Sequence, residues 1–211
     1  MQCPLKEQCG KELENRAIKK TRLLLGEGMD EKNFFDAFLN YLGREQGVQT
    51  MHYGGKNNRR GFLGLLSGTK PEFTAVERVA VTGDADDNYA GTVARIRADL
   101  RECGLPDPAD RDFIEGGGKR VGLFICNRQL ETICLNSLDG TPELICIDDF
   151  LTCVNAQLAE QNELEKAKCR SYLAYKDGAT LSIGVGAVKG YWNFANPAFN
   201  DLRDFLLNFT A

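Results

Sequence analysis

Apolar runs and polar, turn-rich stretches alternate along this chain, and their periods predict strands and helices in turn. Residues 21–25 form a short apolar run read as a first strand, followed by a helix over 30–42 that places Phe34, Phe35, Phe38, Leu39 and Leu42 on one face. Gly43 suits the C-terminal cap of that helix. A weaker second strand spans 48–53, and Gly54-Gly55-Lys56 leads from it into a short helix with Phe62, Leu63, Leu65 and Leu66. A third strand covers 76–82, with Val76, Val79 and Val81 as its apolar positions. Val93, Ile96 and Leu100 then mark a helix that stops near Gly104, ahead of Pro106 and Pro108. A fourth strand is read at 121–126.

The second half changes character. Segments 130–138, 147–158 and 163–175 read as helices, 181–185 as a short apolar run, and Phe199, Leu202, Phe205, Leu206 and Phe209 as one face of a closing helix. Strand–helix alternation predicts an α/β fold with a mainly parallel sheet flanked by helices, here with a helical C-terminal extension. Residues 1–20 are polar and read as an N-terminal arm, 21–127 as the α/β core, and 128–211 as the C-terminal part of the same domain. No internal repeat or low-complexity segment interrupts this plan.

Composition narrows the classes. The 211 residues are 43% hydrophobic and 27% charged, which is normal for a globular chain and argues against disorder. No apolar stretch approaches the ~18 residues of a membrane span, and the N-terminus lacks a signal peptide's apolar core, so a cytoplasmic protein is expected. Eight cysteines without a C-x-x-C pair are then expected to be reduced, Cys126 and Cys146 serving as small hydrophobes in apolar runs. With His52 the sole histidine, neither a zinc site at Cys3 and Cys9 nor a histidine-activated nucleophile is supported. A net charge of −4 counts against tight non-specific nucleic-acid binding, leaving Lys56-Asn57-Asn58-Arg59-Arg60 and Lys119-Arg120 as local candidates for phosphate contact.

Two acidic breaks carry the candidate chemistry. The first strand runs into Gly26-Glu27-Gly28-Met29-Asp30 and the third into Asp84-Ala85-Asp86-Asp87. Strand C-terminal ends in an open parallel sheet border one ligand-binding crevice. Carboxylates gathered there repel by roughly 3 kcal/mol per pair at about 5 Å and an effective dielectric near 20. A hard divalent cation relieves that repulsion, and Mg2+ needs only one or two protein carboxylates plus water or phosphate oxygens. Glu27 is the stronger member of its turn, since neither turn nor cap requires a glutamate. Asp30 is open between metal ligand and helix cap. Asp84 and Asp86 face the same way in an extended segment.

Competing readings of the second motif fail on spacing. A calcium-binding EF-hand loop starting at Asp84 needs Gly and Glu where Tyr89 and Arg95 stand. The aspartate-nucleophile phosphatase pattern meets Asn88 in place of Thr or Val, and neither that pattern nor the D-x-D of nucleotide-sugar transferases accounts for Glu27. Gly116-Gly117-Gly118-Lys119 lacks phosphate-loop spacing, with Arg120 where Ser or Thr is required, and reads as a flexible loop.

A strand ending in E-G-x-x-D followed by a strand ending in D-x-D resembles the TOPRIM domain of topoisomerases, bacterial primases, recombination proteins and nucleases of the overcoming-lysogenization-defect (OLD) type. Over about residues 21–209 the chain is similar to a small stand-alone TOPRIM-related subgroup, through Gly54-Gly55-Lys56, Leu130-Glu131 and Lys189-Gly190-Tyr191-Trp192-Asn193-Phe194 with Pro197. It departs from the TOPRIM pattern at Gly26 and Gly83, which stand where an aliphatic residue usually precedes the acid.

The resemblance implies a Mg2+ site, with Mn2+ as substitute, made by Glu27, Asp30, Asp84 and Asp86, and a nuclease acting on nucleic acid. Glu131 is open between a second-metal ligand and an ordinary helix-start acid, and Lys56 between a phosphate contact and a solvated loop residue. A partner ATPase is implied by analogy with OLD systems only. The alternative is a regulatory, metal-binding module that needs a partner or has lost catalysis. Trp192, Tyr191 and Phe194 are expected to fill the seam between the helical part and the sheet rather than to stack on bases.

Overall fold

The computed structural model describes residues 17–154 and 160–211. Most of the N-terminal arm, Cys3 and Cys9, and the end of the helix read at 147–158 lie outside these residues.

Five strands form one sheet in the order β2-β1-β3-β5-β4. β1 (Arg22–Gly26) pairs in parallel with β2 (Val48–His52) on one side and β3 (Arg78–Asp84) on the other, and β3 pairs in parallel with β5 (Lys119–Cys126). β4 (Phe113–Gly116) runs antiparallel along β5 at the edge. The chain steps outward from β1 to β2 and then returns past β1 to β3, so the strand order reverses between β1 and β3. A crevice opens at such a point beyond the strands' C-terminal ends.

Alternation along β1 explains the two-sided burial. Leu24 points into one hydrophobic cluster with Ala80 and Phe124, while Leu23 and Leu25 point into the other with Val79, Val81, Val121 and Leu123. Both faces are therefore covered, as a parallel sheet requires. α2 (Arg59–Thr69) and α3 (Tyr89–Glu102) cover the second face through Phe62, Leu63, Ile96 and Leu100.

The first face carries α1 (Met29–Tyr41) and the C-terminal helices: α4 (Leu130–Asn136), α5 (Pro142–Cys153), α6 (Gln161–Ala174), α7 (Ile183–Val188) and α8 (Asn200–Thr210). The rings of Phe38 and Phe194 stack at 4.5 Å between centroids, which ties α1 to the segment before α8. Trp192 stacks on Tyr172 at 5.1 Å and donates its indole N–H to the Ile183 carbonyl. Trp192 and Phe194 are buried, so these aromatics are core.

Several elements differ from the sequence reading. β4 falls in a stretch read as loop, and Gly117-Gly118 is its hairpin turn, both glycines lying in the left-handed region at φ 58° and 73°. The Gly-rich run is thus a tight turn. α5 begins five residues earlier than expected, at a Thr141 cap that accepts from the Leu144 N–H, with Pro142 at the first helical position. The end of the run read at 181–185 opens the short helix α7, with Ser182 as its cap. Cys126 is buried as expected, but Cys146 is exposed on α5. No helix among the described residues is long and apolar enough to cross a membrane.

Candidate metal centre

Strand order decides where the acids fall. β1 ends in Gly26 and β3 in Asp84, so Glu27 and Asp84 flank the switch point. β5 ends at Cys126 directly beside Asp84, and the turn beyond it leads into α4, where Glu131 stands in the first turn.

The loops are fixed by backbone bonds. The Glu27 carbonyl accepts from both Gly54 and Gly55 N–H at 2.9 Å, which ties the turn after β1 to the loop after β2. Gly54 and Gly55 sit at φ 77° and 102°, where a side chain would be strained, so two glycines are what let Lys56 turn back over the crevice. The loop after β3 is clamped on the other side, with Ala85 N–H donating to the Cys126 carbonyl at 3.1 Å and Asp86 N–H to the Arg128 carbonyl at 2.7 Å. Asp86 itself lies in the left-handed region at φ 48°. It is not part of an extended D-x-D segment, and its carboxylate pairs with the Lys56 ammonium.

Asp84 is the most enclosed acid of the set, although an edge of the residue still meets solvent. One of its oxygens accepts the Leu130 N–H at 3.1 Å, a backbone donor at the start of α4. Burial raises its pKa well above the usual aspartate value, and the nearby Glu31, Glu131 and Glu27 carboxylates raise it further, against the opposing Lys56 charge. Glu27 is raised by burial too, with Lys56 opposing and Glu31 adding. Glu27 Oε2 is buried with no hydrogen-bond partner. Glu131 is raised chiefly by burial.

Glu31 is the acid that sequence reasoning missed. Its Oε2 accepts the Gly28 N–H at 2.8 Å, a capping role at the start of α1, yet its charge is the largest carboxylate influence on Asp84. Its position in the first turn of α1, four residues beyond Glu27, was the available signal. Asp30 turns elsewhere. Its carboxylate accepts from the Ser182 hydroxyl, the Ile183 N–H at 3.2 Å and the Gly184 N–H at 2.7 Å, so both oxygens cap α7. That engagement favours the capping alternative for Asp30, although it caps α7 and not its own helix.

The basic candidates are largely paired within the protein. Arg59 is buried against Asp99 at 2.6 Å and lies over the Tyr53 ring, Arg60 pairs with Glu102, and Lys119 donates to the Phe73 and Val76 carbonyls. Arg120 bonds the Asn208 side chain.

An oxygen-only donor set with an orphaned Glu27 Oε2 fits a hard cation such as Mg2+. Among the described residues, no three Asp, Glu, His or Cys side chains converge as they stand into a group able to hold one ion. Asp86 is turned to Lys56, Asp84 to the Leu130 N–H and Glu31 to the Gly28 N–H, so holding an ion requires side chains to re-aim.

The fold has solved counterparts. The C-terminal region of the Burkholderia pseudomallei OLD protein superposes with a TM-score of 0.53 at 17% identity, covering 91% of this chain and 100% of that one. The C-terminal region of the Xanthomonas campestris pv. campestris OLD protein gives a TM-score of 0.45 at 17% identity, over 92% of this chain and 96% of its own. The α/β fold is similar to that of the Burkholderia pseudomallei OLD C-terminal region. No curated protein matches the chain. Residues 21–211 match the family described as "Protein of unknown function (DUF3226)", and the chain belongs to that family.

Proposed function

We propose that this chain is a Mg2+-dependent phosphodiester-processing protein, a nuclease acting on nucleic acid. The observation that carries the reading is the gathering of Glu27, Glu31, Asp84 and Glu131 at a switch-point crevice, with three of the four held above ordinary carboxylate pKa values. Acids perturbed by burial and by one another in a crevice are candidates for a functional site. The likeness to the OLD C-terminal region supports the fold on which this chemistry would sit.

In this reading Glu27, Asp84 and Asp86 would hold the ion, and Glu131 with Glu31 would serve a second. Mg2+ or Mn2+ held there would supply Lewis acidity at the phosphoryl oxygen. Lys56 places a point charge against the phosphate and orients it. The nucleophile would be water, whose oxygen bonds to phosphorus as the P–O ester bond breaks; its proton passes to bulk water, and the departing oxygen takes one up in turn.

Cleavage of supercoiled plasmid and labelled single strands in Mg2+ or Mn2+ tests this, with Asp84→Asn/Asp86→Asn purified in parallel. Metal-dependent nicking by the wild type and its loss in the double variant are expected. A folded wild type that binds metal and cuts nothing overturns the nuclease.

A second reading rests on the internal pairing of Arg59, Arg60 and Lys119, which leaves few of the candidate basic residues for a phosphate backbone. A partner protein, an ATPase by analogy with OLD systems, would then supply nucleic-acid engagement, and the chain would act as a metal-binding regulatory module.

A further inference from the structure

Lys56 stands against the carboxylate crevice without being locked elsewhere. Its charge acts on both Glu27 and Asp84, and its ammonium pairs with Asp86. Arg59, the other cation felt by Glu27, is fixed to Asp99 through two nitrogens at 2.8 and 2.6 Å. The backbone on both sides of the Lys56–Asp86 pair is anchored, by Gly54 and Gly55 on the Glu27 carbonyl and by Asp86 N–H on the Arg128 carbonyl. The side chains are not, being 34% and 41% exposed. A half-exposed pair of this kind contributes at most about 1 kcal/mol, little beside what a dication gains among several carboxylates.

We propose that the Lys56 ammonium occupies the place of a divalent cation on Asp86, and that metal binding displaces it and releases it toward the substrate phosphate. The inference rests on the metal-centre reading above and adds an order of events to it. Before metal arrives, the lysine offsets the negative charge of the crevice and holds Asp86 away from the other donors. The arriving ion both assembles the donors and frees the residue that grips the phosphate. Lys56 cannot serve both roles at once, so substrate grip becomes conditional on metal.

Amine acylation of the intact protein, read by mass spectrometry, tests the exchange without any turnover. Saturating Mg2+ is expected to raise the acylation rate of Lys56 by about fivefold, the equivalent of a half-exposed ion pair lost. Lys119, held by the Phe73 and Val76 carbonyls at the N-terminal end of β5 and so at the opposite end of the sheet from the crevice, serves as control and stays unchanged. In parallel, Lys56→Ala is expected to bind Mn2+ about fivefold more tightly by electron paramagnetic resonance. A Lys56→Ala affinity equal to or weaker than that of the wild type overturns the exchange. So does Mg2+ binding, confirmed by calorimetry, with Lys56 reactivity unmoved. If the wild type binds no divalent ion at millimolar concentration, the metal-centre reading falls with it. If the wild type nicks DNA and Lys56 stays protected, only the exchange falls.

Discussion

Asp84 concentrates the electrostatic cost of the crevice in one side chain. Its pKa is raised above the ordinary value of 3.8, as those of Glu27 and Glu131 are above 4.5, all by burial first. A folded state that holds these protons more tightly than the unfolded chain is stabilised below the ordinary values. That contribution is lost as pH rises through the raised ones. The urea midpoint of metal-free protein is therefore expected to fall as pH climbs from about 4 through the carboxylates' raised range. Asp84→Asn keeps an oxygen for the Leu130 N–H and removes the charge, so it should flatten this profile. At pH 7.5 it should raise the urea midpoint of the metal-free protein above that of the wild type. A variant no more stable than the wild type there would show that Asp84 is not under electrostatic strain. Glu27 and Asp84 were legible in the sequence because they break apolar runs. Glu31 was hidden, because a glutamate in the first turn of a helix also reads as a cap, and here it is one.

α7 shows what a short element needs in order to exist. Six residues are too few for a helix to stand alone, and α7 is held by the Ser182 hydroxyl, the Asp30 carboxylate and close packing on α1. A Cβ added at Gly184 would lie 2.8 Å from the Asn33 Cβ, so glycine here sets the approach of the two helices. Gly184→Ala is expected to cost about 1–3 kcal/mol in urea denaturation, as overpacking does. Asp30→Ala should cost about 1–2 kcal/mol through the lost cap while leaving Mg2+ affinity by calorimetry unchanged. A large loss of Mg2+ affinity with stability intact would instead return Asp30 to the metal. No sequence period marks α7, because it is only six residues long and its chief partner, Asp30, lies more than 150 residues away along the chain. β4 was equally hidden. Its four residues are mostly exposed, and its hold on β5 comes from Phe113, whose ring lies over Gly122 and stacks on Phe205 at 4.8 Å. Only the Gly117-Gly118 pair between two apolar stretches announced the hairpin.

At the scale of the whole molecule, the C-terminal helices do not own a separate core. One hydrophobic cluster runs from Leu24 and Ala80 in the sheet through Phe34 and Phe38 of α1 to Leu173, Trp192, Phe199 and Leu206 in the C-terminal part. The candidate metal centre has the same dependence, since Asp84 ends β3 while the Leu130 N–H that holds it, and Glu131 beside it, belong to α4. A site divided between two independently folding units would lose its geometry whenever they moved apart. The shared cluster argues instead for a single cooperative unit, and Trp192 gives the means to test it. As the sole tryptophan it reports the C-terminal part alone, whereas far-UV circular dichroism reports helices and strands of the whole chain. The urea transitions followed by the two signals are expected to coincide in midpoint and slope. Trp192→Phe keeps a ring against Tyr172 but loses the N–H bond to the Ile183 carbonyl. It should lower the circular-dichroism midpoint of the whole chain by the equivalent of about 1 kcal/mol. A fluorescence transition that precedes the circular-dichroism transition would mean that the C-terminal helices melt from a sheet able to stand without them. The Asp84–Leu130 contact would then be an interface between two units, and the candidate metal centre would keep its geometry only while they are docked.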